Sequence, residues 1–155
     1  IGYDVHKFAG ERDLILGGVK IDHPVGLLGH SDADVLVHAI IDSLMGPAGL
    51  GDIGTNFPDA DASYKGVDSI DLLRITGDKL AEKRVTIINI DAVVACQRPK
   101  IAPHIPAMKR RISMALAGLP EDRIGIKGKT TEGLGFTGRE EGIASYAVSL
   151  VSLGQ

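Results

Sequence analysis

Among 155 residues the chain has one cysteine, no tryptophan, only 4% aromatics and no excess of positive charge. Each shortage closes off a class of protein. A single thiol, Cys96, forms no internal disulfide and excludes a multi-cysteine zinc site. Set in the apolar stretch VVAC, it reads as a buried, inert thiol and fits a reducing compartment. So few aromatics leave no stacking platform for single-stranded nucleic acid. Lys+Arg 17 against Asp+Glu 20 gives a net charge of −3, the opposite of the basic balance that nucleic acid or an anionic membrane surface requires. No apolar run approaches the ~20 residues of a membrane span, and none has the make-up of a secretory signal. The expected location is cytoplasmic, or a plastid where a transit peptide once preceded Ile1, since the first residue is not Met.

What remains is ordinary globular composition, 44% hydrophobic and 24% charged, over a length that fits one domain of roughly 100–200 residues. With no repeat, low-complexity linker or shift in composition, residues 1–155 are expected to form a single domain. The opening GYDVHKF alternates like a strand, and LILGGVKI, with Gly17-Gly18 at its centre, like a hairpin. A helix is predicted from a cap at Ser31, paired with Asp34 as an acidic capping box, to about Met45 before the breaker Gly46-Pro47. GLGDIGTNFPDADASYKG predicts a long loop. Residues 69–84 and 103–116 predict two more helices, one burying Ile70, Leu73 and Leu80, the other Ile105, Met108, Ile112 and Leu116. VTIINIDAVVAC, apolar and β-branched, predicts a central strand buried on both faces. IGIKGKTT and GIASYAVSLVSL predict the last two strands, the second alternating small or polar residues with Ala144, Tyr146, Val148 and Leu150. Helices alternating with strands predict a layered α/β or α+β sandwich on one sheet.

Several residues are placed for chemistry. Asp4 and His6, two apart on a strand, leave from one face, and so offer an oxygen and an imidazole from one rigid element. Asp34, His38 and Asp42 form an i, i+4, i+8 stripe on the first helix, opposite Val37, Ile40 and Leu44. That stripe is either a solvated face of charge pairs or a third metal ligand whose free nitrogen a neighbouring carboxylate holds. One carboxylate and two imidazoles leave an open position on tetrahedral zinc, the mark of a catalytic ion, and also suit Fe(II). Spacing alone does not decide between a metal site and coincidence. In GHSDAD, His30 and Ser31 are expected at the N-terminus of the first helix, where free N–H groups favour phosphate. RPKIAPHIP holds Lys100 and His104 on a backbone stiffened by three prolines, able to read a base edge through fixed main-chain groups; the bland alternative is a helix start with His104 packed. In KGKTTEGLGFTGREEG, Thr130, Thr131 and Glu132 suit phosphate oxygens and a hard Mg²⁺. The segment is neither a Walker loop nor G-x-G-x-x-G.

Taken in order, GYDVHKF, LLGHSDADVLVHAIIDSLMG, LGDIGTNFPDAD, PKIAPHIP and TTEGLGFTGREEGIA resemble the 2-C-methyl-D-erythritol 2,4-cyclodiphosphate synthases across nearly the whole chain. The resemblance implies an α+β, two-layer, single-domain sandwich, one mixed β-sheet packed with helices, assembling as a homotrimer. It implies an enzyme that converts 4-diphosphocytidyl-2-C-methyl-D-erythritol 2-phosphate to the cyclodiphosphate with release of CMP. Zinc is implied at Asp4, His6 and His38, and Mg²⁺ or Mn²⁺ at Glu132 with the substrate diphosphate. One subunit is implied to offer the zinc, His30, Ser31 and a ribose contact at Asp52 and Gly54, with Phe57, Asp59 and Asp61 holding the methylerythritol phosphate. Its neighbour is implied to offer a cytidine pocket at Pro99, Lys100, Ile101 and Ala102, with Thr130, Thr131 and Glu132 at the diphosphate. Phe136 and Arg139 are implied among the substrate-binding residues, and Arg139 and Tyr146 lie in the region that lines a cavity on the trimer axis. His30 and Thr130 match positions that steady the transition state. Two departures stand out: GREEG replaces the common GRGEG, putting Glu140 at a glycine position, and Tyr146 stands where some relatives carry Glu. An isoprenoid diphosphate on the trimer axis is therefore not carried over. The competing readings are a metal-dependent phosphohydrolase, releasing inorganic phosphate, and a trimeric metal- or nucleotide-binding module without turnover.

Overall fold

A computed structural model describes residues 1–58, 60, 61, 64 and 66–154, so Asp59 lies outside the described residues. The chain runs β1 (Gly2–Lys7), β2 (Leu14–Leu16), β3 (Val19–Ile21), α1 (Val35–Met45), α2 (Ile53–Asn56) and α3 (Ser69–Glu82). It continues through β4 (Val85–Ala95), α4 (Ile105–Ala115), β5 (Ile124–Lys129), α5 (Gly135–Gly138) and β6 (Gly142–Leu153). Four strands form one mixed sheet in the order β1-β6-β4-β5, antiparallel except for the parallel β4–β5 pair. Helices α1, α3 and α4 cover one face of it, giving the expected two-layer α+β arrangement.

The β2–β3 hairpin forms where Gly17-Gly18 predicts it, with φ of 60° and 69°, the left-handed pair that a two-residue turn matched to strand twist requires. Three expectations need correction. The first helix begins at Val35, not after Ser31: Ala33 is left-handed at φ 60°, and Asp34 is the cap, its carboxylate accepting from the Val37 N–H at 3.1 Å. His30 and Ser31 therefore sit in the loop ahead of α1, whose cap is Asp34. The long segment after Met45 contains a helical turn, α2, capped by Asp52. Strand β4 is central but buried on one face only, because the helices cover one side of the sheet, and a register shift between Ile87 and Asn89 changes which positions face them. Beyond it Ile90, Ala92 and Val94 face the helices while Asn89 and Asp91 stay exposed.

Strand β6 explains how tightly the layers fit. Its helix-facing residues include Ser145 and Ala147, both small and buried, while Tyr146, Val148 and Leu150 point away from the helices and are about half exposed in the single chain, at 48%, 56% and 57%. Tyr3 and Val5 of β1 join that outer face, and the Tyr3 and Tyr146 rings lie 4.7 Å apart. On the inner face the closest approach is at Gly2, where a Cβ would run into the backbone of α1 at Ala39 and Ser43. Gly2→Ala is expected to push α1 off β1 and cost about 1–3 kcal/mol, read by denaturant unfolding. Unchanged stability would show that the contact yields.

Candidate active site

Alternation along β1 turns Asp4 and His6 toward the helices, and α1 brings His38 over them. Asp4 Oδ2 lies 2.9 Å from His38 Nδ1 and 3.0 Å from His6 Nε2, and the two nitrogens are 3.2 Å apart. Zinc bonds of about 2.0–2.1 Å at tetrahedral angles hold donor atoms ~3.3 Å from one another, so this triangle has the size of one face of a zinc polyhedron. The donor set, two imidazoles and a carboxylate, fits a divalent transition metal. Burial disfavours the charged form of Asp4, but hydrogen bonds from His38 and His6 outweigh it and hold the carboxyl well below its usual range. Burial likewise opposes a charge on His6, yet its hydrogen bond to Asp4 prevails and raises its pKa.

The outward ring nitrogens are also held. His6 Nδ1 lies 2.7 Å from the Leu28 carbonyl, which only accepts, so this nitrogen is protonated in either charge state and Nε2 is the atom turned to the triangle. His38 Nε2 lies 2.9 Å from Ser69 Oγ and 3.1 Å from Ser31 Oγ. The stripe on α1 predicts a neighbouring carboxylate there instead. Both candidates are engaged elsewhere: Asp34 accepts from the Gly17 and Gly18 N–H groups at 2.9 and 2.6 Å, and Asp42 accepts from the Ile53 N–H at 2.8 Å. Burial foremost, with the charge of Asp32 behind it, raises Asp34 to about 6 against three backbone donors.

A cleft of about 790 Å³ opens over this triangle. It gathers Asp4, His6, His30, Ser31, His38, Gly54, Phe57 and Asp61 from the expected set, and adds Gly29, Ile53, Pro58, Ala60, Tyr64 and Leu72. Phe57 is buried and meets Tyr64 edge-on at 5.4 Å between ring centres. Asp52 does not line it; its carboxylate caps α2 through the Thr55 N–H at 2.7 Å. A second, smaller hollow of about 170 Å³ gathers Pro99, Lys100, Ile101, Ala102 and Thr130 with Cys96, Gln97, Gly128 and Lys129, and shares no lining residue with the first. Glu132, Thr131, Phe136 and Arg139 line neither. The Thr130 hydroxyl donates to Glu132 at 2.6 Å, and Arg139 pairs with Glu141 at 2.7 Å. His104 closes a turn of 3-10 helix (Ala102–His104) before α4 and lines neither hollow.

Sequence reasoning passes over two supports of this site. The Arg12 guanidinium donates to the carbonyls of Gly29 and Ser31 at 3.0 and 2.6 Å, gripping the chain on both sides of His30. Ser69 and Asp32 stand behind His38. Arg12 lies in a loop without periodicity, and Ser69 is 31 residues from its partner, so no local pattern announces either contact.

Residues 1–152 match the model of the YgbB family. A curated relative from Clostridium perfringens, named 2-C-methyl-D-erythritol 2,4-cyclodiphosphate synthase, is 58% identical over 151 residues, covering 97% of this chain and 96% of the relative. A solved structure of a synthase of that name in its CDP-bound form superposes with a TM-score of 0.88 at 37% identity, over 97% of each chain. The bifunctional IspDF of Campylobacter jejuni gives a TM-score of 0.94 at 44% identity over 99% of this chain, which spans 42% of that longer protein.

Cys96 is set apart from this chemistry: burial pushes its thiol up to about 11, and it points at the Pro99 carbonyl, 3.4 Å away. At neutral pH the native protein is expected to react with a thiol-specific disulfide reagent at least roughly 100-fold more slowly than the unfolded chain, because the thiolate is scarce. Labelling at the rate of a free thiol would overturn this.

Proposed function

We infer the reaction of this cleft from one premise: the chain belongs to the YgbB family, whose model spans nearly all of it. It forms 2-C-methyl-D-erythritol 2,4-cyclodiphosphate in isoprenoid biosynthesis. The finer reading is a metal-dependent phosphorus–oxygen lyase of the non-mevalonate route. An oxygen of the substrate's own 2-phosphate bonds to the β-phosphorus, the bond from that phosphorus to the bridging oxygen breaks, and CMP leaves with the electron pair. The observation that carries this reading is the convergence of Asp4, His6 and His38 on one wall of a cleft large enough for a phosphorylated sugar.

Divalent cations, zinc held by Asp4, His6 and His38 and magnesium held by Glu132, would supply the positive charge that lets two phosphate groups approach one another. The residues of the chain do the positioning. Phe57, Asp61 and Tyr64 line the same cleft and are proposed to hold the sugar phosphate, with Asp59 proposed to join them. His30, held in place by the Arg12 grip on its flanking carbonyls, faces the reacting phosphates and steadies their developing charge. Ser31 Oγ accepts from the Ala33 N–H at 3.2 Å, and its own proton serves a phosphate oxygen. Orienting the two groups in line reaches effective molarities of about 10⁵ M or more, which is why no activated side-chain nucleophile is required.

The second hollow is proposed to take the cytidine of a substrate whose phosphates lie in a neighbouring copy's cleft, with main-chain groups at Pro99, Lys100, Ile101 and Ala102 reading the base. Thr130, Thr131 and Glu132 would then face the diphosphate, with Phe136 and Arg139 alongside and Asp52 and Gly54 at the ribose. A homotrimer is supported by the outer sheet face, where Tyr3, Val5, Tyr146, Val148 and Leu150 lie exposed together, as apolar residues at an association surface do. One domain over residues 1–155 and a cytoplasmic location complete the reading. Among the described residues no helix is long and apolar enough to cross a membrane.

Incubated with the linear substrate, the protein is expected to yield cyclic diphosphate and CMP by phosphorus NMR; inorganic phosphate instead would favour a phosphohydrolase. His38→Ala is expected to lose zinc and to lower turnover by more than the ~100-fold that an outer partner is worth, while thermal unfolding stays near that of the wild type. Stoichiometric zinc in that variant would remove His38 from the ligand set. Glu132→Gln is expected to raise the Mg²⁺ concentration for half-maximal activity on the order of tenfold, about 1.4 kcal/mol, at unchanged zinc content. An unaltered Mg²⁺ titration would count against the role of Glu132.

A further inference from the structure

Behind His38 lies a polar pair, Ser69 and Asp32, that the reaction itself does not use. Ser69 is fully buried at the start of α3, yet its hydroxyl does not cap that helix, because the Asp68 carboxylate already accepts from the Ile70 N–H at 2.9 Å. Instead Ser69 turns to Asp32, in the loop before α1. Its N–H donates to Asp32 Oδ2 at 3.0 Å and its hydroxyl donates to Asp32 Oδ1 through a short hydrogen bond. The same carboxylate also accepts the Asp34 N–H at 3.2 Å. On its other side Ser69 Oγ lies 2.9 Å from His38 Nε2.

Counting protons along this line gives its direction. A carboxylate only accepts, and a serine hydroxyl has one proton. With that proton committed to Asp32, Ser69 Oγ has only lone pairs to offer His38, so the proton of the contact belongs to His38 Nε2. Nδ1 faces Asp4 Oδ2 at 2.9 Å and His6 Nε2 at 3.2 Å, the inner side of the triangle, where the carboxylate accepts a second proton from the charged ring; the neutral ring keeps its one N–H at Nε2 and turns its lone pair to that side. Ser31 Oγ, 3.1 Å from the same nitrogen, cannot impose this direction: among the described residues no carboxylate accepts its proton, so it can act as donor or acceptor.

We propose that Asp32 and Ser69 are positioning residues for the metal centre, locking His38 as the Nε2–H tautomer so that Nδ1 is always the atom offered to the cation. The carboxylate makes an amphoteric hydroxyl an obligate acceptor, and the hydroxyl passes that constraint to the ring. The inference rests on the metal reading above. It also ties the N-terminus of α3 to the loop that carries His30 and Ser31, so the ligand and the phosphate loop share one anchor.

The test is long-range proton–nitrogen NMR of the chelator-stripped protein at about pH 9, above the ordinary imidazole range, together with zinc titration against a competing chelator. In the wild type His38 is expected as the Nε2–H tautomer; the Nδ1–H form would overturn the proposal, and this measurement needs no variant. Ser69→Ala is expected to leave Ser31 as the only partner, to give a mixture of tautomers and to weaken zinc binding roughly 10- to 100-fold. Asp32→Asn, with the Ser69 hydroxyl intact, is expected to mix the tautomers as well, which a packing role for Ser69 would not do. Both variants keeping the wild-type tautomer and zinc affinity would overturn the proposal. Zinc failing to bind a wild-type protein whose His38 is Nε2–H would instead remove the metal reading and leave the tautomer lock standing.

Discussion

Three metal-ligand atoms, Asp4 Oδ2, His6 Nε2 and His38 Nδ1, are held within about 3 Å of each other. Imidazole protons bridge the two rings to the carboxylate, and the positions of all three are fixed from outside as well. The Leu28 carbonyl fixes one ring and the Ser69 hydroxyl the other, while the backbone of β1, hydrogen-bonded to β6, fixes the carboxylate. A cation would take the place of those protons in a frame already built, so binding energy need not be spent on gathering ligands. That is preorganisation in the sense used for catalytic centres, where charge stabilisation requires no rearrangement at the moment of reaction.

This requirement accounts for features of the sheet that would otherwise be puzzling. For His38 to reach Asp4, α1 must lie unusually close to β1 and β6, and the strands accommodate it with Gly2, Ser145 and Ala147 on the inner face. Close packing against small residues leaves less apolar area to bury there than large side chains would provide. The large ones, Tyr3, Val5, Tyr146, Val148 and Leu150, lie on the opposite face, where contact with further copies would bury them. Close approach at the site and an apolar outer face are two consequences of where β1 and β6 place their small and large side chains. Glu140 fits the same scheme: it is left-handed at φ 58°, a conformation natural to glycine, and pairs with Arg98 at 3.5 Å near the strand that carries the outer residues.

How much of this was legible in the sequence follows the range of each interaction. Gly17-Gly18, Gly46-Pro47 and the apolar spacing of Met108 and Ile112 act within a few residues, and the hairpin, the end of α1 and α4 appear where they predict. Asp4 and His6 were readable because strand geometry is local, and His38 because it follows a helical pattern. Ser31 misled as a cap because a serine followed by Asp34 satisfies the local rule for capping, whereas tertiary contacts decide: Asp34 is drawn to the hairpin amides and carries the helix start with it. The supports of His38 and His30 were invisible for the same reason in reverse. Ser69 and Arg12 do nothing for their own segments that another residue does not do, so only the folded chain reveals them. The phase change in β4 belongs here too, since one extra residue near Ile88 leaves an apolar run looking continuous while it swaps faces.

A chain of net charge −3 that handles a substrate with three phosphate groups would at first sight repel it. The distribution of its acids resolves this. Asp34, Asp42 and Asp52 each accept backbone N–H groups at helix or turn termini, so their charge is spread into main-chain dipoles. Asp32 is bonded to Ser69 and to the Asp34 N–H. Asp4 faces two imidazoles, and with a divalent ion in place that group of three becomes net positive. Most of the acids around the site therefore act as architecture or as ligands, with Asp61 as the exception on the cleft wall, and the field felt by a phosphate is set by what they hold. An enzyme whose nucleophile arrives on the substrate has no use for a strong base of its own; it needs anions that are already satisfied and a place where positive charge is not.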